Sequence, residues 1–229
     1  MEDLSFKERV EELNFYIKSI KRLDEILNYE RDKELNKKFN SLSKNYNASN
    51  LVVILKSNAC MMMYNLVEAT IKSLIANIYT DINLTRLKYN ELNEKYRTII
   101  KNYKFNNNSA EKIKESATDL INNILNDEYM IFEVSNFKLS GNADLRKIKE
   151  VLERHSIDLN NKQIQKYGSP LVFIKNTRNS LAHGSRTFTT IGSQITISDI
   201  EKDTNDIINF LIYLIDQTND FIASKGYRV

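Results

Sequence analysis

The run Ser169-Pro170-Leu171-Val172-Phe173-Ile174-Lys175-Asn176-Thr177-Arg178-Asn179-Ser180-Leu181-Ala182-His183-Gly184 decides how this chain is read. It contains the only proline, one of five glycines and one of two histidines. Ser169 followed by Pro170 predicts a helix start: a hydroxyl cap, then a residue with no backbone N–H to leave unpaired. Gly184 predicts the helix stop. Between them Leu171, Ile174 and Leu181 are expected to face a core, with Val172 and Phe173 close by. Asn179 and His183 are four apart and share a helix face. Arg178 and His183 are five apart, about 140° around an ideal helix. They line one cleft if the helix loosens near Gly184, or if two copies of the chain face each other.

An arginine and a histidine held together suit one kind of chemistry. The guanidinium is permanently charged and matches phosphate oxygens in a bidentate fashion. The imidazole exchanges protons near neutral pH. A base beside a phosphate clamp is what RNA cleavage by 2′-OH attack requires, and that reaction needs no metal. Spacing alone leaves a plainer reading open, in which His183 caps the helix C-terminus and Arg178 makes a surface ion pair.

Arg178-Asn179-Ser180-Leu181-Ala182-His183 resembles the R-x4-6-H motif of the HEPN superfamily, all-α ribonucleases of bacterial toxin and phage-defence systems. Asn179 supplies the polar residue that typically follows the arginine. Three further segments resemble the stand-alone MAE-type HEPN-like nucleases: Tyr64-Asn65-Leu66-Val67-Glu68, Ser140-Gly141-Asn142-Ala143-Asp144 with the helix after it, and Gly184-Ser185-Arg186-Thr187-Phe188 to Gly192. The resemblance spans roughly residues 50–222. It implies an all-α HEPN-type helical bundle and a metal-independent endoribonuclease that leaves a 2′,3′-cyclic phosphate, with no cofactor. Arg178, Asn179 and His183 would be its catalytic residues. A homodimer with a composite site, RNA (tRNA included) as substrate and an antitoxin or associated defence protein as partner are implied with it. So is a cytoplasmic setting. The alternative is a catalytically silent HEPN domain that binds RNA or a partner. One HEPN branch is silenced by modification of a tyrosine two residues after the motif histidine; here that position is Ser185, which does not fit.

Bulk properties agree with a helical protein. Of 229 residues, 41% are hydrophobic and 28% charged, ordinary values for a packed domain. Five glycines and one proline favour long helices over a turn-rich β fold. The net charge of +3 is too small to indicate nucleic-acid binding by itself. The single cysteine, Cys60, excludes an internal disulfide and suits a reducing compartment. The acidic opening predicts no secretory signal. No uninterrupted apolar run reaches 18 residues, so no membrane span is expected.

The polar, Asn-rich stretch Ser41–Ser49 reads as a linker and divides the chain into an N-terminal helical extension, 1–45, and a second part, 46–229, which the resemblance implies is the HEPN domain. The extension is one long charged helix over 4–39, packing on the domain or on a dimer partner. A central helix over 51–79, capped by Ser49 or Asn50, is apolar on several sides. Glu68 lies within it, either as a rim acid or as the partner that orients Arg178 or His183. A helix over 84–103 should turn Leu84, Leu87 and Leu92 inward. Ser109 caps another, 110–126. Residues 130–134 read as a short strand or an irregular buried segment, ended by Gly141. A helix from Asp144 to Arg154 ends at His155, read as a capping or exposed residue. The alternating Thr187–Ile191 and Gln194–Ile197 predict a small β-hairpin near 187–197. Ser198-Asp199-Ile200-Glu201 reads as a capping box for a last helix to Ala223, with a frayed tail beyond.

Lys175 and Arg186 flank the motif, as phosphate contacts or as solvated charges. Two distant histidines and one cysteine offer no zinc spacing, so the metal ligands expected are none. No glycine-rich phosphate loop is present. Ser180 has no nucleophile elbow around it.

Overall fold

The computed structural model describes residues 4–29, 33–105, 109–139 and 142–229. The elements are α1 (Leu4–Asp24), α2 (Lys33–Asn40), α3 (Ala48–Thr85), α4 (Glu94–Phe105), α5 (Ala110–Leu125), α6 (Leu145–Arg154), α7 (Asn161–Ile164), α8 (Gly168–Ala182), α9 (Phe188–Gly192) and α10 (Ile197–Ala223). Among the described residues no strand forms; two isolated bridges, Lys88 with Tyr129 and Leu92 with Arg228, are the only β pairings. The chain is all-α, as the glycine and proline counts imply.

The chain divides into two compact units. Unit 1 comprises 1–69, 143–145 and 165–211; unit 2 comprises 70–142, 146–164 and 212–229. Both α3 and α10 contribute their first part to unit 1 and their second part to unit 2.

In unit 1, α1 buries Leu13, Ile17 and Ile20, a stripe at helical spacing. The expected continuous helix over 4–39 is interrupted. A π-helical turn, Glu25–Tyr29, inserts Leu27 into the core, and α2 follows as a separate element. Tyr16 ties α1 to α3, donating to the Leu55 carbonyl at 3.2 Å and accepting from Asn58 at 3.1 Å. The cap of α3 is Asn47 rather than Ser49 or Asn50. The Asn47 side chain accepts from the Asn50 N–H at 3.0 Å, and the Asn50 side chain accepts from the Asn47 N–H at 2.9 Å. This is a capping box built from two asparagines. By length and composition α3 could cross a membrane. Within unit 1 its Val52, Ala59, Cys60, Met63, Tyr64 and Val67 are all buried.

The predicted hairpin near 187–197 is a helical turn instead. Thr187 caps α9 by accepting from the Thr190 N–H at 3.1 Å. Ser57 on α3 donates to the Phe188 carbonyl at 2.6 Å, and Lys56 donates to the Ile195 carbonyl at 2.6 Å. Gly192 lies so close to α3 that an added Cβ would stand 1.8 Å from the Val53 carbonyl oxygen. Alternation of β-branched residues favours a strand, but a local cap and three contacts to one central helix outweigh it. Thr196, two residues upstream of the expected capping box, starts α10 by exchanging hydrogen bonds with Asp199.

Unit 2 is organised on aromatic rings. Tyr79, Tyr96, Phe132 and Tyr227 are buried, and Tyr79 and Tyr96 each pack on Phe132 and His155. His155 is thus buried, 3% exposed, and not a surface cap. The segment at 130–134 is irregular. Asn83 substitutes for a strand, bonding both the N–H and the C=O of Phe132 at 2.9 Å. Leu84, expected inward, is 77% exposed, because α3 runs on to Thr85 and turns its outer face there. The C-terminal tail is docked rather than frayed: Tyr227 is fully buried and Val229 donates to the Glu91 carbonyl. Ser109 caps α5 as expected. Gly141 and Ser140 lie outside the described residues, as do Asn106–Asn108 and the opening Met1–Asp3.

Candidate active site

The site is built on α8, and α8 begins earlier than Ser169. A 3-10 turn, Gln165–Tyr167, runs directly into Gly168 with Tyr167 at the cap position, so no hydroxyl cap is needed. Pro170 still falls in the first turn, where its missing N–H costs nothing. Leu171 and Ile174 are fully buried, while Val172 is 41% exposed and Leu181 is half-buried.

The other end follows the prediction closely. Gly184 has φ +67°, a left-handed conformation suited to glycine. Its N–H bonds the Leu181 carbonyl at 3.2 Å, and the Ser185 N–H bonds the Ser180 carbonyl at 3.0 Å. These two bonds define a Schellman stop. His183 is therefore the C-cap, with φ −89° and ψ 0°, just outside helical geometry. It is exposed, and among the described residues its imidazole has no hydrogen-bonded partner.

Arg178 is half-buried and held from two sides. Its Nη1 donates to Asn179 Oδ1 at 3.0 Å. Its guanidinium carbon lies 5.2 Å from the centre of the Tyr64 ring on α3, within cation–π range. Tyr64 is fully buried, and its hydroxyl meets no partner at hydrogen-bonding geometry. The polar surroundings of that hydroxyl are the Ala143 backbone, the Glu68 carboxylate and Arg178. Burial raises its pKa and Glu68 adds to the rise, whereas the Ala143 backbone and the Arg178 charge oppose it. Glu68 stands one turn along α3 from Tyr64 and is half-buried.

Lys175, one turn before Arg178, donates to Asp144 Oδ2 at 2.9 Å; both side chains are largely covered. That ion pair pins α8 to the 143–145 segment, whose Leu145 also touches the Gly168 region. Arg186 is exposed and donates to Gln194 Oε1 at 2.5 Å. Arg178, Asn179, Tyr64 and Glu68 thus form one neighbourhood. No hydrogen bond joins His183 to it among the described residues, nor do Lys175 and Arg186 reach it.

Reading the residues in order finds Arg178, Asn179, His183 and Glu68, but it gives no role to Tyr64 or to the Lys175–Asp144 pair. The available signal is the Tyr64/Glu68 pair at i, i+4 on an otherwise apolar helix. Their partners on α8 are far away in sequence, and nothing local announces them.

A sequence profile of the MAE-like HEPN family matches residues 4–227, nearly the whole chain. The chain belongs to this HEPN family. Membership makes it a nuclease-type or RNA-binding module. No curated protein and no solved structure matches it. The HEPN assignment agrees with the all-α architecture and with an R-x4-H motif at the end of α8. Among the described residues, no group of three His, Cys, Asp or Glu is arranged to hold a metal ion.

Proposed function

We propose that this HEPN protein is a metal-independent endoribonuclease whose site is Arg178, Asn179 and His183. The observation that carries the reading is the state of Arg178. It is oriented by Asn179 and by the Tyr64 ring, yet it is only partly buried and remains open to solvent. A guanidinium held in this way is a prepared seat for a phosphate. His183 takes the proton from the 2′-OH as the 2′-oxygen attacks the adjacent phosphorus. The bond to the 5′-oxygen breaks, and that oxygen leaves with a proton taken from water or from the imidazolium that His183 has become. The products are a 2′,3′-cyclic phosphate and a 5′-hydroxyl, with Arg178 neutralising the charge that develops on the phosphoryl oxygens.

His183 and Arg178 are not bonded to each other in one chain, which favours a homodimer in which two motifs share a cleft. Arg186, exposed beside the motif, contributes positive charge around it, whereas Lys175 is neutralised by Asp144 and serves to hold α8 in place. The setting is a cytoplasmic toxin or anti-phage effector, held in check by an antitoxin or an associated defence protein, with tRNA among the substrates.

The test is cleavage of total RNA and tRNA in EDTA by wild type, His183→Ala and Arg178→Ala. Cleavage by wild type that both substitutions abolish supports the ribonuclease. Silence from all three, with retained RNA affinity, favours the RNA-binding alternative. Equal cleavage by all three overturns the assignment of α8.

A further inference from the structure

We propose that Tyr64 is a positioning residue of this site: its ring is the platform that sets the plane of the Arg178 guanidinium. The inference deepens the ribonuclease reading and rests on it for the catalytic consequence, but its geometric content stands apart. The guanidinium carbon sits 5.2 Å from the ring centre. The ring itself cannot drift, because it is fully buried on the central helix α3. Asn179 engages Arg178 through Nη1. One such bond fixes a point on the fork but leaves the plane free to rotate about it. A ring beneath the plane removes that freedom and leaves the remaining N–H groups directed along the guanidinium edge, where phosphate oxygens bind.

The Tyr64 hydroxyl is buried with its ring and does not reach solvent. The aromatic face is what the site uses, and the oxygen is dispensable. Phenylalanine should therefore serve at this position, whereas an aliphatic side chain of similar bulk should not. For the same reason lysine cannot replace Arg178, since an ammonium has no plane to be set.

The experiment reads the Arg178 side chain directly and the reaction separately. The Arg178 Nε–Hε resonance is assigned by its loss in Arg178→Lys. In the wild-type protein it should lie upfield of the exposed arginines, because the ring shields it. In Tyr64→Phe it should stay upfield, with kcat/KM within about twofold of wild type and a melting temperature equal or higher. In Tyr64→Met, which keeps bulk without a π face, it should move to the ordinary range. There kcat/KM should fall roughly tenfold to a hundredfold, mostly in kcat, as expected when a reacting group is misplaced by a fraction of an ångström to an ångström. An unshielded Arg178 resonance in the wild type overturns the proposal whatever the variants do. So does unimpaired cleavage by Tyr64→Met. A shielded resonance in a protein that cleaves no RNA leaves the platform standing and removes the ribonuclease reading instead.

Discussion

Lys175 and His155 show how differently two residues can behave from the reading their sequence neighbours suggest. Lys175 lies three residues before the motif arginine, yet its ammonium is committed to Asp144 at 2.9 Å in a largely covered pair. Removing one partner leaves the other charge half-desolvated and unpaired. Lys175→Met should lower unfolding free energy by about 2 kcal/mol, and Asp144→Asn by a similar amount. The double substitution should cost less than their sum. Urea denaturation of the four proteins measures the coupling, and a strictly additive double mutant would show that the pair does not hold α8. Arg186→Ala, at an exposed position, should leave stability within about 0.5 kcal/mol.

His155 carries a pH dependence whose sign can be worked out. Burial pushes its pKa down to about 4, with the Arg154 charge adding to the fall and the Val151 hydrogen bond opposing it. The imidazole is therefore neutral in the folded chain at pH 7. Its Nδ1 is 2.7 Å from the Val151 carbonyl, which can only accept, so Nδ1 carries the proton and Nε2 accepts. Tyr79 must then donate to Nε2, and Tyr103 to Tyr79, at 2.9 and 2.5 Å. Unfolding frees a histidine with an ordinary pKa near 6.5. Between pH 6.5 and 4 the unfolded chain binds the extra proton. The contribution of His155 is thus full above 6.5 and is lost as pH falls toward 4. By pH 5 it should have cost about 2 kcal/mol. Chemical denaturation at pH 7 and pH 5 reads this, and His155→Gln should be less stable at pH 7 while flattening the slope.

At the scale of elements, α9 is where sequence pattern and tertiary context part. Five residues of helix survive there because the Gly192 backbone lies against α3. A methyl group at Gly192 would meet the Val53 carbonyl oxygen at 1.8 Å, and backbone cannot step aside as a side chain can. Gly192→Ala should destabilise the protein by roughly 3 kcal/mol, the cost of overpacking a fixed contact. Thr187→Ala, which removes only the cap, should cost about 1 kcal/mol. Thermal melts rank the two, and a Gly192→Ala protein as stable as wild type would mean that α9 does not rest on α3. The same contrast explains what was legible in the sequence. Helix α8 announced its end through Gly184, whose φ and local bonds are properties of the next few residues. The stripe of α1 and the Ser109 cap were equally local. The β-like alternation of 187–197 lost to Ser57, Lys56 and Val53, which lie more than a hundred residues earlier on α3. His155 was misread for the same reason, since Tyr79 and Tyr96 come from other helices. In the site, the motif on one helix could be read in line. The platform beneath it could not.

The whole molecule raises the question that one chain leaves open: Arg178 is oriented and His183 is not. In the proposed homodimer the arginine of one copy works with the histidine of the other. This makes a sharp prediction for mixed subunits. Arg178→Ala and His183→Ala homodimers would each be inactive. When subunits exchange freely, half of the dimers are mixed. In each mixed dimer one cleft keeps both native residues and the other lacks both. Activity should return to about one quarter of wild type, because half of the clefts in half of the dimers are intact. The recovery should follow the time course of subunit exchange, and covalent linking of either homodimer before mixing should prevent it. If each chain instead completes its own cleft by bringing His183 to its own Arg178, no mixture restores a site, and the mixed sample stays as inactive as its components. The experiment thus distinguishes a shared cleft from a self-contained one without a structure of the assembly, and a flat result would return the task of orienting His183 to the single chain and its substrate.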